Sequence, residues 1–188
     1  MIVILGNEGS QVKQTILIRR SFVPQDDRSQ KIHMDAEKLN FIKTGVIPRV
    51  KTLPANASGK WGKMNGQQMA EHVADFFNVS TEKIKFDLVT PVEHLPKFKE
   101  FLLSDKQFRE NTKAPVNIVG EEPYPLRCAN MEEAVDRLAA SIENFENYFQ
   151  ENPGKKTTHP VFGELNFEEW VLLHFKHVTH HLRQFGLL

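Results

Sequence analysis

The sequence predicts an all-α protein, a four-helix bundle in an up-down arrangement with one long connection and an irregular N-terminal arm. Apolar residues recur at three- and four-residue steps in four separate segments, as they do along one face of a helix. Three of these segments begin with an asparagine that is followed three residues later by glutamine or glutamate, which is the spacing of a helix-capping box. The pattern requires no sheet, and the core of such a bundle commonly holds metal sites.

The helices can be placed from their apolar stripes and their start signals. Gly45 and Pro48 weaken the second half of the first helix and can kink it. The capping boxes that open the later helices are Asn65 with Gln68, Asn130 with Glu133, and Asn166 with Glu169. The expected helices cover residues 35–50, 65–80, 91–103, 130–149 and 166–185, the middle one being shorter than the four main helices.

The chain divides into an arm and one domain. Residues 1–33 are predicted to be a poorly defined N-terminal arm, and residues 34–188 a helical bundle domain. Within the arm, residues 2–5 and 15–18 have strand-like composition, whereas residues 25–30 are polar and turn-like. No function is assigned to the arm.

The composition argues against nucleic-acid and membrane partners. The 188 residues include 24 basic and 24 acidic side chains, so the chain has no excess positive charge for an anionic partner. No apolar run approaches the roughly 20 residues that span a bilayer. The single cysteine, Cys128, permits no intrachain disulfide, which is typical of a reducing compartment. We therefore expect a cytoplasmic protein that binds neither nucleic acid nor membrane.

The candidate functional residues are histidines. Four of the eight histidines fall within eight residues near the C-terminus, and His174, His177, His181 and Gln184 follow at steps of three, four and three, along one helical face. His177 and His181 are one turn apart, so their imidazoles can converge on one ion. A third ligand must come from another element, and His72 lies on the apolar stripe of the second helix. The alternative is that these histidines are satisfied by core hydrogen bonds.

Several motifs accompany these histidines. They are Trp61-Gly62-Lys63-Met64-Asn65, Gln68-Met69, His72, His159-Pro160-Val161-Phe162-Gly163, Trp170, His177, His180-His181 and Gln184. In this combination, the chain from about residue 39 to its end resembles the DinB-like (YfiT-like) superfamily of metal-binding four-helix bundles. Within that superfamily it is similar to a branch without an established reaction. The resemblance does not include the N-terminal arm.

The resemblance implies a metal site and a reaction that depends on the metal. In the superfamily, a histidine of the second helix and a histidine pair of the last helix hold a divalent metal, which implies His72, His177 and His181 here. Three imidazoles suit zinc or nickel and leave one coordination position open. The better-understood relatives include enzymes that use low-molecular-weight thiols, as S-transferases or isomerases. The implied function is therefore a metal-dependent enzyme for a small substrate, a thiol S-transferase or a hydrolase. The alternative is a non-catalytic, metal-stabilised accessory or interaction module.

Other residues near the motif receive weaker assignments. His174 and Gln184 are expected to contact a metal ligand or face the substrate, although His174 is equally explained as a packed core residue. His180 is rotated off the stripe and is expected to be structural. Among the acidic residues Glu71, Asp75 and Glu169, none is assigned as a general base, because acidic residues on helices are usually solvated.

Two expectations concern the surroundings of the site. A shallow cleft is expected around His72, His177 and His181, partly roofed by the long connector over residues 111–125. The apolar helix faces also allow a homodimer, but they do not require one because the core already uses them.

Overall fold

A computed structural model describes residues 26–112, 120 and 122–188 of the chain. Most of the described residues are helical, and none of the helices combines the length and apolar character that crossing a bilayer requires. A 3₁₀ turn at Val92–His94 precedes the third helix. The elements are α1 (Asp26–Val50), α2 (Gly66–Ser80), α3 (Leu95–Leu103), α4 (Met131–Glu151), β1 (Thr157–His159), β2 (Gly163–Leu165) and α5 (Phe167–Gln184).

The first helix begins earlier than its apolar stripe indicated. α1 starts at Asp26, so most of the polar segment 25–30 is helical rather than a turn. The segment contains no glycine or proline, and its arginine and two glutamines are good helix formers, so it can extend the helix. The helix also continues through Gly45 and Pro48 to its end at Val50. The predicted strands at residues 2–5 and 15–18 lie outside the described residues, and the arm boundary stays a prediction.

The predicted helix starts are confirmed by their caps. Asn65 and Asn166 each form a complete capping box, with Gln68 and Glu169 respectively. The side chain of Asn130 accepts a hydrogen bond from the Glu133 N–H in the same way. The Glu133 carboxylate, however, accepts from the N–H of Ala129, one residue before the cap. Each cap satisfies backbone donors that the first turn of a helix leaves without partners.

The expectation that the chain contains no sheet is wrong at one place. Strands β1 and β2 pair antiparallel, with Thr157 opposite Leu165 and His159 opposite Gly163. Three-residue strands are too short to give an alternating pattern in the sequence. The hairpin is fixed by contacts with the helices instead. The buried Thr157 hydroxyl donates to the Ser80 carbonyl at 2.9 Å and accepts from Trp170 Nε1 at 2.8 Å.

The long helices pack together as a helical bundle. α1 packs against α5 and α4, while α2 packs against α4 and α5. α2 and α5 are therefore neighbours, and they carry the histidines singled out in the sequence. The largest fully buried side chains of the core are Trp170, Phe77, Phe145, Ile42, Met69, Leu102, Leu138, Leu165, Leu173 and Leu182.

Candidate metal centre

The side chains of His72, His177 and His181 converge between α2 and α5. The Nε2 atom of His177 lies 3.1 Å from Nε2 of His72 and 3.1 Å from Nε2 of His181. One nitrogen from each residue lies within 4.8 Å of those of the other two. In the described part of the chain, these three residues form the one cluster with the geometry to hold a metal ion. We call them the histidine triad.

The geometry of the triad fits a metal with imidazole ligands. Two Zn–N bonds of about 2.0–2.1 Å at a tetrahedral angle place their nitrogens about 3.3 Å apart, close to the separations observed. Burial lowers the pKa of His72 to about 4 and holds the pKa values of His177 and His181 well below their usual range. The three rings are therefore neutral near pH 7, and neutral imidazole is the form that binds a metal.

Gln184 fixes the orientation of one ring of the triad. The Nδ1–H of His181 donates to Gln184 Oε1 at 2.8 Å, and Gln184 Nε2 donates to the carbonyl of Trp61 at 2.6 Å. The second bond sets which end of the amide faces His181. With its proton on Nδ1, His181 directs the lone pair of Nε2 into the triad, as a metal-ligating histidine requires.

Two glycines allow the loop before α2 to close around Gln184. A Cβ at Gly62, whose φ is +77°, would lie 2.5 Å from Gln184 Nε2, and one at Gly59 would lie 2.9 Å from Gln184 Cγ. The N–H of Lys60 donates to the Gln184 carbonyl at 2.7 Å. The loop 59–62 and Gln184 thus form one packed unit behind His181. The Trp61-Gly62 motif marked this loop in the sequence, but its contact with Gln184 is a tertiary feature.

The ring of His177 is held by stacking rather than by a hydrogen bond at Nδ1. It stacks on Phe76 with a centroid separation of 3.8 Å and an interplanar angle of 19°. Its Nδ1 is buried and makes no hydrogen bond to any described residue. Phe76 comes from the turn of α2 that follows His72, so α2 supplies both one triad member and the support of another.

His174 lies on the same helical face but belongs to the packed core. Its Nε2 is 3.0 Å from the Ser80 hydroxyl, and its ring stacks on Phe77 at 3.9 Å. The ring is fully buried, with Trp170 on another side at 5.3 Å. The bond to Ser80 directs Nε2 of His174 to the end of α2, whereas the cluster that can hold a metal comprises His72, His177 and His181.

His180 is buried beside the triad. It is 7% exposed, and its ring contacts those of His181, Trp61 and Phe108 at 5.1, 5.7 and 6.0 Å. His180 is not a member of the cluster that can hold a metal, and the structural role expected for it stays a prediction. The two tryptophans differ in burial. Trp170 is fully buried, whereas Trp61 is partly exposed.

Glu71 is buried, unlike the solvated acidic residues that are usual on helices. Its carboxylate accepts from the N–H groups of Arg127 and Cys128 and from the Gln67 amide. Burial acts to raise the pKa of Glu71, but these hydrogen bonds outweigh it and the pKa is lowered. Burial also raises the pKa of the Cys128 thiol. Glu71 therefore anchors the start of α4 to α2 rather than acting on the triad.

The other two acidic candidates are also engaged in ion pairs. Asp75 binds the guanidinium groups of Arg127 and Arg137. Glu169 completes the cap of α5 and pairs with Lys99. The carboxylates of Asp75 and Glu169 are therefore occupied by arginine and lysine partners.

Two cavities among the described residues lie away from the triad. One of about 230 Å³ adjoins the end of α2, near Glu82, Phe86 and Thr158, and one of about 20 Å³ lies near Lys176. Neither is the cleft that we expected around the triad. The connector predicted to roof that cleft falls largely at residues 113–119 and 121, outside the described part of the chain.

Comparison with known proteins gives one match. The model of a family described as "Protein of unknown function (DUF1569)" matches residues 33–186. The chain belongs to this family. DUF1569 proteins have a DinB-like fold, and the matched region contains the whole histidine triad together with Trp61 and Gln184. No curated protein and no solved structure matches the chain.

Proposed function

We propose that this DUF1569 protein binds a divalent metal ion through His72, His177 and His181, and that it is a metal-dependent enzyme acting on a small substrate. The convergence of one ring nitrogen from each of three neutral histidines, all within 4.8 Å of one another, carries this proposal. An all-imidazole ligand set favours zinc or nickel over the harder magnesium and calcium. A thiol S-transferase or a hydrolase is the reaction class that fits best.

The chemistry follows from the number of protein ligands. Three ligands leave one position of a tetrahedral site for water or substrate, and a bound zinc or nickel ion lowers the pKa of water or of a thiol placed there. The chain itself orients the site. Gln184 holds the His181 tautomer, and Phe76 stacks on His177. His72 is the triad member that is only half-buried, so access to the site is proposed on its side.

The remaining features of the proposal concern the molecule as a whole. We propose the up-down four-helix arrangement of the DinB-like proteins, supported by the packing of α1 and of α2 against both α4 and α5. The substrate is proposed to be a small molecule, such as a low-molecular-weight thiol, in the cytoplasm. Nucleic acid and membrane are not proposed as partners, because basic and acidic residues are balanced at 24 each. A homodimer is compatible with the bundle.

A specific observation favours a second candidate, a non-catalytic accessory or interaction module that the metal stabilises. The acidic residues near the triad are not free to act as a base, because Glu71, Asp75 and Glu169 are engaged in hydrogen bonds and ion pairs. An enzyme usually places its metal in a concave pocket with convergent polar groups. In a module, the same three histidines would add only binding energy to the fold.

Cobalt substitution separates the two candidates. The visible spectrum of the Co²⁺-loaded protein is recorded during titration with a small thiol. We expect a saturable thiolate-to-cobalt absorption band, because the enzyme proposal requires an accessible fourth position. If cobalt binds but the thiol leaves its spectrum unchanged, the result would contradict a thiol S-transferase and favour the module unless the zinc-loaded protein shows hydrolysis. The zinc-loaded protein is then assayed for thiol transfer and hydrolysis, with metal-free His72→Ala as the control that must be inactive.

A further inference from the structure

A buried lysine fixes the segment that follows α3 to α5, the helix that carries two of the triad histidines. Lys176 of α5 is 3% exposed, and its ammonium donates to the carbonyls of Ser104 and Lys106 at 2.5 Å each. The ammonium also lies over the ring of Phe101, 5.1 Å from its centroid. A buried charge is costly unless hydrogen bonds satisfy it. Lys176 therefore anchors this segment, residues 104–108, which we call the strap.

From its anchor, the strap continues along α5 in the direction of the triad. The hydroxyl of Thr179 lies 3.4 Å from Oε1 of Gln107, a contact that is long for a hydrogen bond. The next strap residue, Phe108, places its ring against that of His180, with centroids 6.0 Å apart and an interplanar angle of 82°. Successive strap residues thus meet successive positions of α5, and the strong bonds that hold Phe108 in this register are those of Lys176.

His180 connects the strap to the metal candidate by two contacts. Its ring lies against that of the triad member His181, with centroids 5.1 Å apart. It also lies against Trp61 at 5.7 Å, and the Trp61 carbonyl accepts from the Gln184 amide that fixes the His181 tautomer. Protein interiors are close-packed, so a ring keeps its orientation only while its neighbours fill the space around it. Loss of Phe108 from one side would therefore loosen the support of His181.

We propose that Lys176 is a positioning residue for the metal centre, because it fixes the strap and thereby holds Phe108 against His180. His180 in turn keeps the ring of His181 in the orientation that a metal ligand needs. Since the packing around a ligand tunes metal affinity, release of the strap should weaken zinc binding while the ligand set stays the same. This inference rests on the proposed metal binding by the triad.

Replacement of the anchor tests this role. Lys176→Met keeps a long side chain but removes the ammonium, so the backbone amides of residues 104–108 should exchange hydrogen faster, as measured by mass spectrometry. Zinc affinity, measured by competition with a chromophoric chelator, should fall about fivefold, a change that leaves the metal content of the zinc-loaded protein unaltered. The matched control is Lys106→Met, which should keep the wild-type affinity. The Lys106 residue is exposed, and it is its backbone carbonyl that binds Lys176.

Phe108→Leu separates this route from the stability of the fold, because it keeps the anchor and removes the ring next to His180. It should lower zinc affinity about as much as Lys176→Met, and the double variant should lose no more than either single variant. Unchanged zinc affinity in Phe108→Leu, unchanged affinity in Lys176→Met despite faster exchange, or additive losses in the double variant would each overturn the proposal. Absence of zinc binding in the wild type would instead overturn the proposed function, and this inference with it.

Discussion

The carboxamide of Gln184 connects the triad to the loop before α2. It accepts the Nδ1–H of His181 in a buried bond and donates to the carbonyl of Trp61 in a partly buried one. A hydrogen bond to the outer nitrogen of a metal-binding histidine fixes its tautomer and raises its basicity. Gln184 therefore lies outside the triad but fixes the tautomer of His181, and we expect it to influence metal affinity.

We expect Gln184→Leu to weaken zinc binding about 10- to 100-fold, because His181 loses the acceptor for its Nδ1–H. The measurement is competition with a chromophoric zinc chelator. Gln184→Glu, which keeps the acceptor, should retain most of the affinity. The control is Gln107→Leu, because the Gln107 side chain contacts Thr179 instead of the triad. Equal zinc affinities of Gln184→Leu and Gln107→Leu would show that Gln184 does not position His181.

The sequence predicts residue contacts well where spacing alone decides them. His177 and His181 come together because they are one turn apart on one helix. The burial of Glu71 was not predictable, because its hydrogen-bond partners Arg127 and Cys128 approach only when α4 packs on α2. Whether Gln184 faces the ring of His181 likewise depends on the loop 59–62, which is far away in sequence.

The packing of the loop 59–62 on the end of α5 relates two elements that are separated in the sequence. The backbone of Gly62 has φ +77°, a conformation that favours glycine. The position is also crowded, because a Cβ there would lie 2.5 Å from Gln184 Nε2. Gly154 has the same φ of +77°, but a Cβ there would meet nothing within 4 Å. A side chain at either glycine would strain the backbone, but only a side chain at Gly62 would also displace Gln184.

Gly62→Ala and Gly154→Ala form a matched pair. Both should lose about 1–2 kcal/mol of unfolding free energy through left-handed backbone strain, as measured by urea denaturation. Gly62→Ala should in addition lower zinc affinity, because it displaces the amide that orients His181. Zinc affinity lowered equally in both variants, or in neither, would contradict a role for this loop in the metal site.

Among the secondary-structure elements, the sequence predicted the beginnings of the helices best. The capping asparagines placed the first residues of α2, α4 and α5 correctly. The start of α1 and the β1–β2 hairpin were not predicted, since neither depends on an apolar period. The hairpin exists because Thr157 bridges Ser80 and Trp170, which are brought together by the packed helices.

Buried histidines link the stability of the whole molecule to pH. Burial lowers the pKa of His159 to about 3 and holds that of His174 well below its usual range. In the unfolded chain both histidines have the ordinary pKa of about 6.5. Below that pH the unfolded chain binds protons that the folded protein does not, so stability is highest above about pH 6.5 and falls with the pH until the folded pKa is reached.

We expect the metal-free protein to lose about 2 kcal/mol of unfolding free energy per buried histidine between pH 7 and pH 5. His159 accepts hydrogen bonds from the N–H groups of Val161 and Phe162 through Nδ1. Asparagine can accept similar turn bonds and does not titrate. His159→Asn should therefore remove about 2 kcal/mol of this pH dependence, measured by urea denaturation at both pH values. An unchanged pH dependence in the variant would contradict burial of a neutral His159.

His72, His177 and His181 are proposed to hold one metal ion, and the metal content of the purified protein is the first measurement to make. Inductively coupled plasma mass spectrometry is applied to wild type, His177→Ala and His180→Ala prepared in parallel. We expect about one equivalent of zinc or nickel in wild type and in His180→Ala, and most of it lost in His177→Ala. Equal metal content in all three proteins, or no metal in wild type even after reconstitution, would contradict the assignment of these histidines as metal ligands.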